Sequence, residues 1–432
     1  MSPAPTVTRA QARFAVALLF GVNFLNYIDR YVIAAVLPLI QREFHLDDAR
    51  AGYVLSMFVL VYMAASPFTG VMGDRWPRRY LVGSGVLLWS LATVASGLAA
   101  GYRQLLVARS FIGIGEAGFG AVSPTIISDL FPKERRGRML SYFFVAIPVG
   151  SALGYVLGGA VGARYGWRAA CFLAGAPGVL LGVLAFGMAE PPRGKGDGVL
   201  TEEHRFEWAS ARRILGNPTF LLTALGMSAM TFALGGLASW MPTFLSRVKR
   251  LSLTGANTGF GALTVVAGLI GTFLGGWLGD RLLRRTDAAY LLVSGLGMLL
   301  AVPAAYVGFT AADPHLYLPA FFVAEVLVFL NTGPANAVFV NVALPEVRAT
   351  GIALSIFIYH LLGDVPSPIL IGKVSDWTGS LQTALLLTLV AMAVSGAFYL
   401  AGMRTVGRDT ARVQETVAAR EARHATGPHP AR

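Results

Sequence analysis

The chain is built from twelve long apolar runs separated by short polar loops, and that alternation leaves few folds open. The runs span approximately 14–40, 51–72, 80–101, 104–130, 138–162, 168–188, 219–246, 256–279, 288–310, 317–343, 350–374 and 380–403. A bilayer core about 30 Å thick is crossed by about 20 residues of α-helix, a length that each run supplies. Lipid offers no hydrogen bonds to backbone groups, so a spanning segment must satisfy its own, as a helix does. The expected fold class is therefore an all-α integral membrane protein with twelve transmembrane helices. Composition agrees: 55% of the 432 residues are apolar, 50 more are glycine and 13% are charged. A water-soluble protein of this size carries about a quarter charged residues. The first run is too long for a signal-peptide core and ends without a small-residue cleavage site, so it is expected to stay in the mature protein.

One long hydrophilic interruption, 190–218, carries the Pro/Gly-rich stretch Pro191 to Gly198 and a short amphipathic segment around Glu202 to Arg213. It divides the runs six and six. The expected organisation is a segment 1–13, a six-helix bundle 14–189, a linker 190–218, a second bundle 219–403 and a basic tail 404–432, read as frayed helix or disordered. The net charge is +12, yet the Lys and Arg residues lie in short clusters between runs and form no folded basic patch, which argues against nucleic acid as a partner. With both termini inside, the cytoplasmic segments hold 24 Lys and Arg and the outer loops 9, as the positive-inside rule requires. Lysine is scarce, with four residues in all, and this Arg-, Ala- and Gly-rich usage suggests a bacterial inner membrane. Cys171 is the single cysteine, so no internal disulfide forms, and no Cys/His spacing suits a metal. No Ser/His/Asp arrangement, HExxH or P-loop is present. Neither metal nor cofactor is expected, nor enzymatic activity, and the chain is read as a monomer.

The two halves share a plan. Gly70, Asp74, Arg75, Arg78 and Arg79 after the second run recur as Gly276, Asp280, Arg281, Arg284 and Arg285 after the eighth, each 206 positions later. Pro132 and Arg135 after the fourth run recur as Pro345 and Arg348 after the tenth, 213 positions later. Such parallel repeats belong to transporters that rock two bundles about a central site. These residues resemble the major facilitator superfamily, whose loop between helices two and three carries Gly-x-x-x-Asp-Arg-x-Gly-Arg-Arg; Pro77 stands here where that family usually has glycine. Arg109-x-x-x-Gly113-x-Gly115 is similar to its helix-four motif. Within the superfamily, Asn26 to Tyr31, Gly113 to Phe131, Phe143 to Gly159 and Glu190 to Gly194 resemble spinster-type transporters. That resemblance implies the two-bundle fold and a lysolipid-like or sphingoid-phosphate amphiphile as substrate class. Sugar-acid symporters of the superfamily share a Tyr-x-Asp-Arg-Tyr start, so a small organic anion stays open as the alternative, and a non-transporting membrane receptor is a third.

Charges at bilayer depth cost at least about 2.5–3.5 kcal/mol each on insertion scales, so each asks for a partner, a wet cavity or a function. Seven charged or histidine residues lie inside the runs away from their ends: Asp29 and Arg30 in the first, Arg109 and Glu116 in the fourth, Glu325 in the tenth, His360 and Asp364 in the eleventh. These are the candidate proton-coupling and substrate residues. At 1.5 Å per residue, the first and fourth runs bring their four charges to similar depths, which predicts two crosses, Arg30 with Glu116 and Asp29 with Arg109. Either the pairs are static locks or they form a proton and substrate switch; protons are the expected coupling ion. The glycines around Glu116 allow close packing or a wet slot. His360 reads equally as a hydrogen-bonded core histidine, and Pro366 and Pro368 predict a kink beside Asp364. Met227, Met230, Phe232, Trp240 and Met241 are expected to suit an acyl tail or simply to face core and lipid. The cytoplasmic gate is expected to comprise the two Asp-Arg motifs with Asp129, Asp74 meeting a helix end near Thr350 and Arg78 reaching Asp129.

Overall fold

Every hydrophobic run forms helix in the computed structural model, which describes residues 7–131, 133–191, 212, 214–344 and 347–426. Among the described residues there are twelve helical spans long and apolar enough to cross a membrane, and no strand. The elements are α1 (Arg9–Phe44), α2 (Asp48–Arg75), α3 (Arg78–Leu98), α4 (Tyr102–Leu130), α5 (Lys133–Tyr165), α6 (Trp167–Phe186), α7 (Pro218–Arg247), α8 (Leu253–Leu283) and α9 (Ala289–Thr310). The last three spans are interrupted: α10 (Pro314–Phe329) with α11 (Thr332–Asn341), α12 (Arg348–Leu362) with α13 (Ser367–Thr378), and α14 (Leu381–Leu385) with α15 (Leu387–Thr426).

The ends and breaks follow local chemistry. Thr8 and Gln11 close a reciprocal capping box that starts α1 five residues before its apolar run. The break at residues 363–366 falls where Pro366 and Pro368 remove two backbone donors, so the predicted kink is a full interruption. The break at residues 330–331 was not expected; there the side chain of Asn331, fully buried, donates to the Val328 carbonyl and competes with the helical ladder. Of the two states expected for the tail, the described residues take the helical one. The tail continues α15 as helix to Thr426, because its Ala, Arg and Glu residues are strong helix formers. Buried Asp409 also pins the tail, accepting from the hydroxyl and backbone N–H of Thr219 at 2.7 and 3.3 Å. The amphipathic segment expected around 202–213 lies mostly outside the described residues.

Packing groups the chain into two units. One comprises Met1–His204, Gly235–Val265 and Val365–Leu385; the other comprises Arg205–Leu234, Val266–Asp364 and Leu386–Arg432. In the first unit α1 packs on α5, α3 on α6, and α4 between α2 and α3. Glycine makes the α4 contacts possible. A Cβ at Gly113 would lie 2.5 Å from the Phe58 carbonyl oxygen, and one at Gly115 would lie 2.6 Å from that of Gly85. Such small-residue contacts let backbones approach where no hydrophobic force drives helices together. In the second unit α9 packs against α10 and α15.

Candidate functional site

The close approach of α4 to α2 and α3 places four charges of the first unit in its interior. Arg30 donates through Nε to Glu116 Oε2 at 2.8 Å, with Nη2 at 2.7 Å from the same oxygen. The pair is unequal: the Glu116 side chain is 1% exposed and that of Arg30 27%. Arg30 also stands 5.1, 4.8 and 5.3 Å from the ring centres of Tyr27, Phe58 and Tyr62. These distances suit cation–π attraction. The second expected cross does not form as an ion pair. Asp29 Oδ2 accepts from the Thr93 hydroxyl of α3, and Arg109 Nε donates to the Val54 carbonyl of α2 at 3.2 Å. The reason lies in two neighbours of the charges. The Arg109 guanidinium sits 5.3 Å from the Phe58 ring, which Arg30 also approaches, and the α2 backbone claims the donor meant for Asp29. Asp29 Oδ1, Glu116 Oε1 and Arg109 Nη1 are all buried with no hydrogen-bond partner among the described residues. Buried polar atoms are normally paired, so three orphans in one cluster mark a place that is not optimised for stability.

A second constellation seals one end of the same unit, where α1 leads into α2. Asp48 accepts from Arg247 Nη1 at 2.8 and 2.9 Å, from the Ser375 hydroxyl at 2.6 Å and from the Gln41 amide at 2.7 Å. Arg247 also reaches Gln41 Oε1 at 2.8 Å. The backbone N–H groups of Asp48 and Ala49 donate to the Asp376 carboxylate at 2.9 and 2.7 Å. A negative side chain of α13 thus caps the positive N-terminus of α2. Gly52 and Gly372 meet the facing backbone directly: a Cβ on Gly52 would strike Pro368 and one on Gly372 would strike Asp48. Trp240 donates to the Pro368 carbonyl at 3.1 Å, Tyr155 to Ala238 at 2.7 Å, and Asn257 to Ala35 at 3.1 Å. Trp240 and Met241 are therefore buried in this packing, and Met227 and Met230 are buried as well, which agrees with the expectation that they face core.

At the opposite end of that unit lies the first Asp-Arg loop. Arg78 is buried and donates to Asp129 at 2.6 Å, to Glu190 at 3.4 Å and to the Pro191 carbonyl at 2.8 Å, while its backbone N–H is capped by Glu190 at 2.8 Å. Arg79 lies along Tyr80, 4.8 Å from its ring, and Arg75 is exposed. Among the described residues the Arg78 contacts are not repeated in the second half, where Arg284 and Arg285 are exposed, Arg281 lies 5.3 Å from the Trp277 ring and Asp280 accepts from Tyr290 at 2.8 Å. A Cβ added at Gly70 or Gly276 would meet nothing within 4 Å. The side chains of Asp74 and Arg348, and residues Pro132 and Pro345, lie outside the described set, and so does the contact expected between Asp74 and the helix end near Thr350.

The remaining candidates belong to the second unit. Glu325 is buried in α10. His360 Nδ1 stands 2.9 Å from both Asp364 oxygens at the break after α12, and its ring centre lies 4.6 Å from that of Tyr359, tilted by 51°. Sequence reasoning missed Phe58, Tyr62, Thr93 and the Asp48–Arg247–Ser375 cluster. The aromatic and hydroxyl residues carry no signal distinct from ordinary core, and Asp48 and Arg247 read as loop charges.

Comparison with known proteins now has geometry to meet. The family model described as Major Facilitator Superfamily matches residues 19–368. Protein spinster homolog 1 of Xenopus tropicalis is 34% identical over 432 aligned residues, covering 92% of this chain and 82% of its own. The sphingosine-1-phosphate transporter SPNS2 of Danio rerio is 35% identical, covering 89% of this chain and 82% of its own. A crystal structure of a bacterial homolog to the human lysosomal transporter spinster, in an inward-facing and unoccupied conformation, superposes with a TM-score of 0.85 at 26% identity. It covers 93% of this chain and 99% of its own. A multi-pass membrane protein with this packing and these relatives has one assignment: the chain belongs to the major facilitator superfamily, as a spinster-type member.

Proposed function

We propose that the chain is a proton-linked secondary transporter that carries an anionic amphiphile of lysolipid or sphingoid-phosphate type by alternating access. The carrying observation is the unequal Arg30–Glu116 pair, one member enclosed and the other still partly open under three aromatic rings. A lock that served only stability would gain nothing from an open cation, and buried pairs are poor stabilisers in any case. An arginine can take a phosphate or carboxylate in two parallel hydrogen bonds. When an anion claims Arg30, Glu116 loses its counter-charge inside a dry wall and takes a proton, which links the two movements.

Alternating access is supported by the contrast between glycines: Gly52 and Gly372 are pressed on facing backbone, whereas Gly70 and Gly276 have open space beside them. With the Lys and Arg excess placed inside, both termini are cytoplasmic, the Asp48–Arg247 end is the outer gate, and the Asp-Arg loops with Asp129 belong to the cytoplasmic gate. Glu325, His360 and Asp364 serve substrate or proton in the second half. The membrane is the bacterial inner membrane and the working unit a monomer. The substrate class is supported by the relative named as a sphingosine-1-phosphate transporter.

Binding of lysophospholipids with one headgroup and increasing chain length tests the class. Each buried methylene adds about 0.8 kcal/mol, so thermal stabilisation rises with length until further methylenes stay outside the protein. A flat response together with strong binding of a sugar acid would replace the amphiphile with a small organic anion.

A further inference from the structure

Thr93 makes a contact that its donor inventory does not allow it to complete. Its Oγ1 lies within hydrogen-bonding reach of two acceptors, Asp29 Oδ2 and the Trp89 carbonyl, the latter at 3.0 Å. A hydroxyl has one hydrogen, so only one of the two can be served at a time. Bonding back to the carbonyl four residues earlier is the ordinary habit of a helical threonine. Bonding to a carboxylate is the stronger choice when that carboxylate is ionised. Once the carboxyl holds a proton, its own O–H can donate to the threonine oxygen and free the hydroxyl hydrogen for Trp89. The heavy atoms need not move. They are also held: Thr93 and Asp29 are 1% and 2% exposed, and a Cβ on Gly175 of α6 would lie 3.0 Å from the Thr93 Cβ.

We infer that Thr93 is a positioning residue that reads the protonation state of Asp29, its hydroxyl hydrogen turning from the carboxylate to the Trp89 carbonyl when Asp29 takes a proton. The inference rests on the proposed proton linkage and on extending it from Glu116 to Asp29, one of the candidate proton-coupling residues beside it. The charged and titratable groups facing Asp29 are Glu116 and Arg109 of α4, Arg30 of its own helix and the Cys171 thiol of α6. None of them is a neutral donor with a built-in second acceptor. Thr93 therefore sets the balance between two hydrogen-bonded states of α1 and α3, where an ion pair would set only one.

Infrared difference spectra of the full-length protein in lipid nanodiscs, taken across pH without substrate, test this directly. The carboxylic acid band removed by Asp29→Asn reports the Asp29 proton. Thr93→Val and Thr93→Ala both delete the donor to the ionised form, so the pH midpoint of that band is expected to rise by about one unit, a tenfold change in proton affinity, and its frequency to rise with the lost hydrogen bond. Thr93→Ser, which keeps the hydroxyl, is expected to restore both. A band whose midpoint and frequency both hydroxyl-free variants leave unchanged overturns the relay alone. If no titrating band disappears in Asp29→Asn, the proton-carrying reading of Asp29 fails and the relay falls with it.

Discussion

At the residue scale the two members of the Arg30–Glu116 pair are not equivalent, and that inequality can be measured. Removing Arg30 as Arg30→Ala leaves an enclosed carboxylate without its cation, a loss that costs about 3–5 kcal/mol when the survivor stays charged. Glu116→Gln leaves instead a partly open guanidinium lying over aromatic rings, with an amide oxygen still able to accept, and is expected to cost about 1 kcal/mol. Thermal melts of the two purified variants should therefore separate by several degrees, Arg30→Ala being the lower. Equal losses would mean that both groups are equally buried and that the site is a plain lock. This pair was legible in the sequence because charges inside apolar runs must find one another and depth along two helices limits the choice. The Asp29–Arg109 cross was misread for a reason that no spacing rule supplies. Thr93 and the Val54 carbonyl are competing partners contributed by α3 and α2, and a threonine or a backbone carbonyl in an apolar run looks like any other.

At the scale of elements, glycine decides how closely α4 approaches its neighbours. Gly113→Ala would set its methyl 2.5 Å from the Phe58 carbonyl oxygen, a backbone atom that cannot turn aside. Overpacking of this kind costs about 1–3 kcal/mol, and the displaced α2 would carry Phe58 away from both guanidinium groups. Gly70→Ala, with nothing within 4 Å, should alter stability by no more than about 0.5 kcal/mol. Unfolding midpoints of these two variants in one detergent provide the check. The spans themselves were fully readable from hydrophobicity, and the interruption beside Asp364 from its prolines. The interruption at Asn331 was not, because it depends on a buried side chain that bonds its own turn, and the tail stayed between helix and disorder because the docking of Asp409 to Thr219 leaves no local signal.

At the scale of the whole molecule the proposed mechanism needs two things, an outer end that can open and a charge pair that couples proton to substrate. Arg247 is 43% exposed, so its bond to Asp48 is worth at most about 1 kcal/mol. Asp48→Asn should accordingly lengthen the distance between spin labels on the ends of α2 and α13 in a several-fold larger fraction of molecules, without unfolding, in a background where Cys171 is replaced by Ser. An unchanged distance distribution would assign the seal to backbone packing at Gly52 and Gly372 and not to charge. The central claim, that a proton and an anionic amphiphile share the Arg30–Glu116 site, is tested most directly in proteoliposomes with an imposed pH gradient and a fluorescent lysophospholipid. The account predicts that the wild-type protein moves the lipid several-fold faster with the gradient than without it, and that Glu116→Gln moves it at one rate regardless. Gradient-driven acceleration that survives in Glu116→Gln, or wild-type movement indifferent to the gradient, would contradict it.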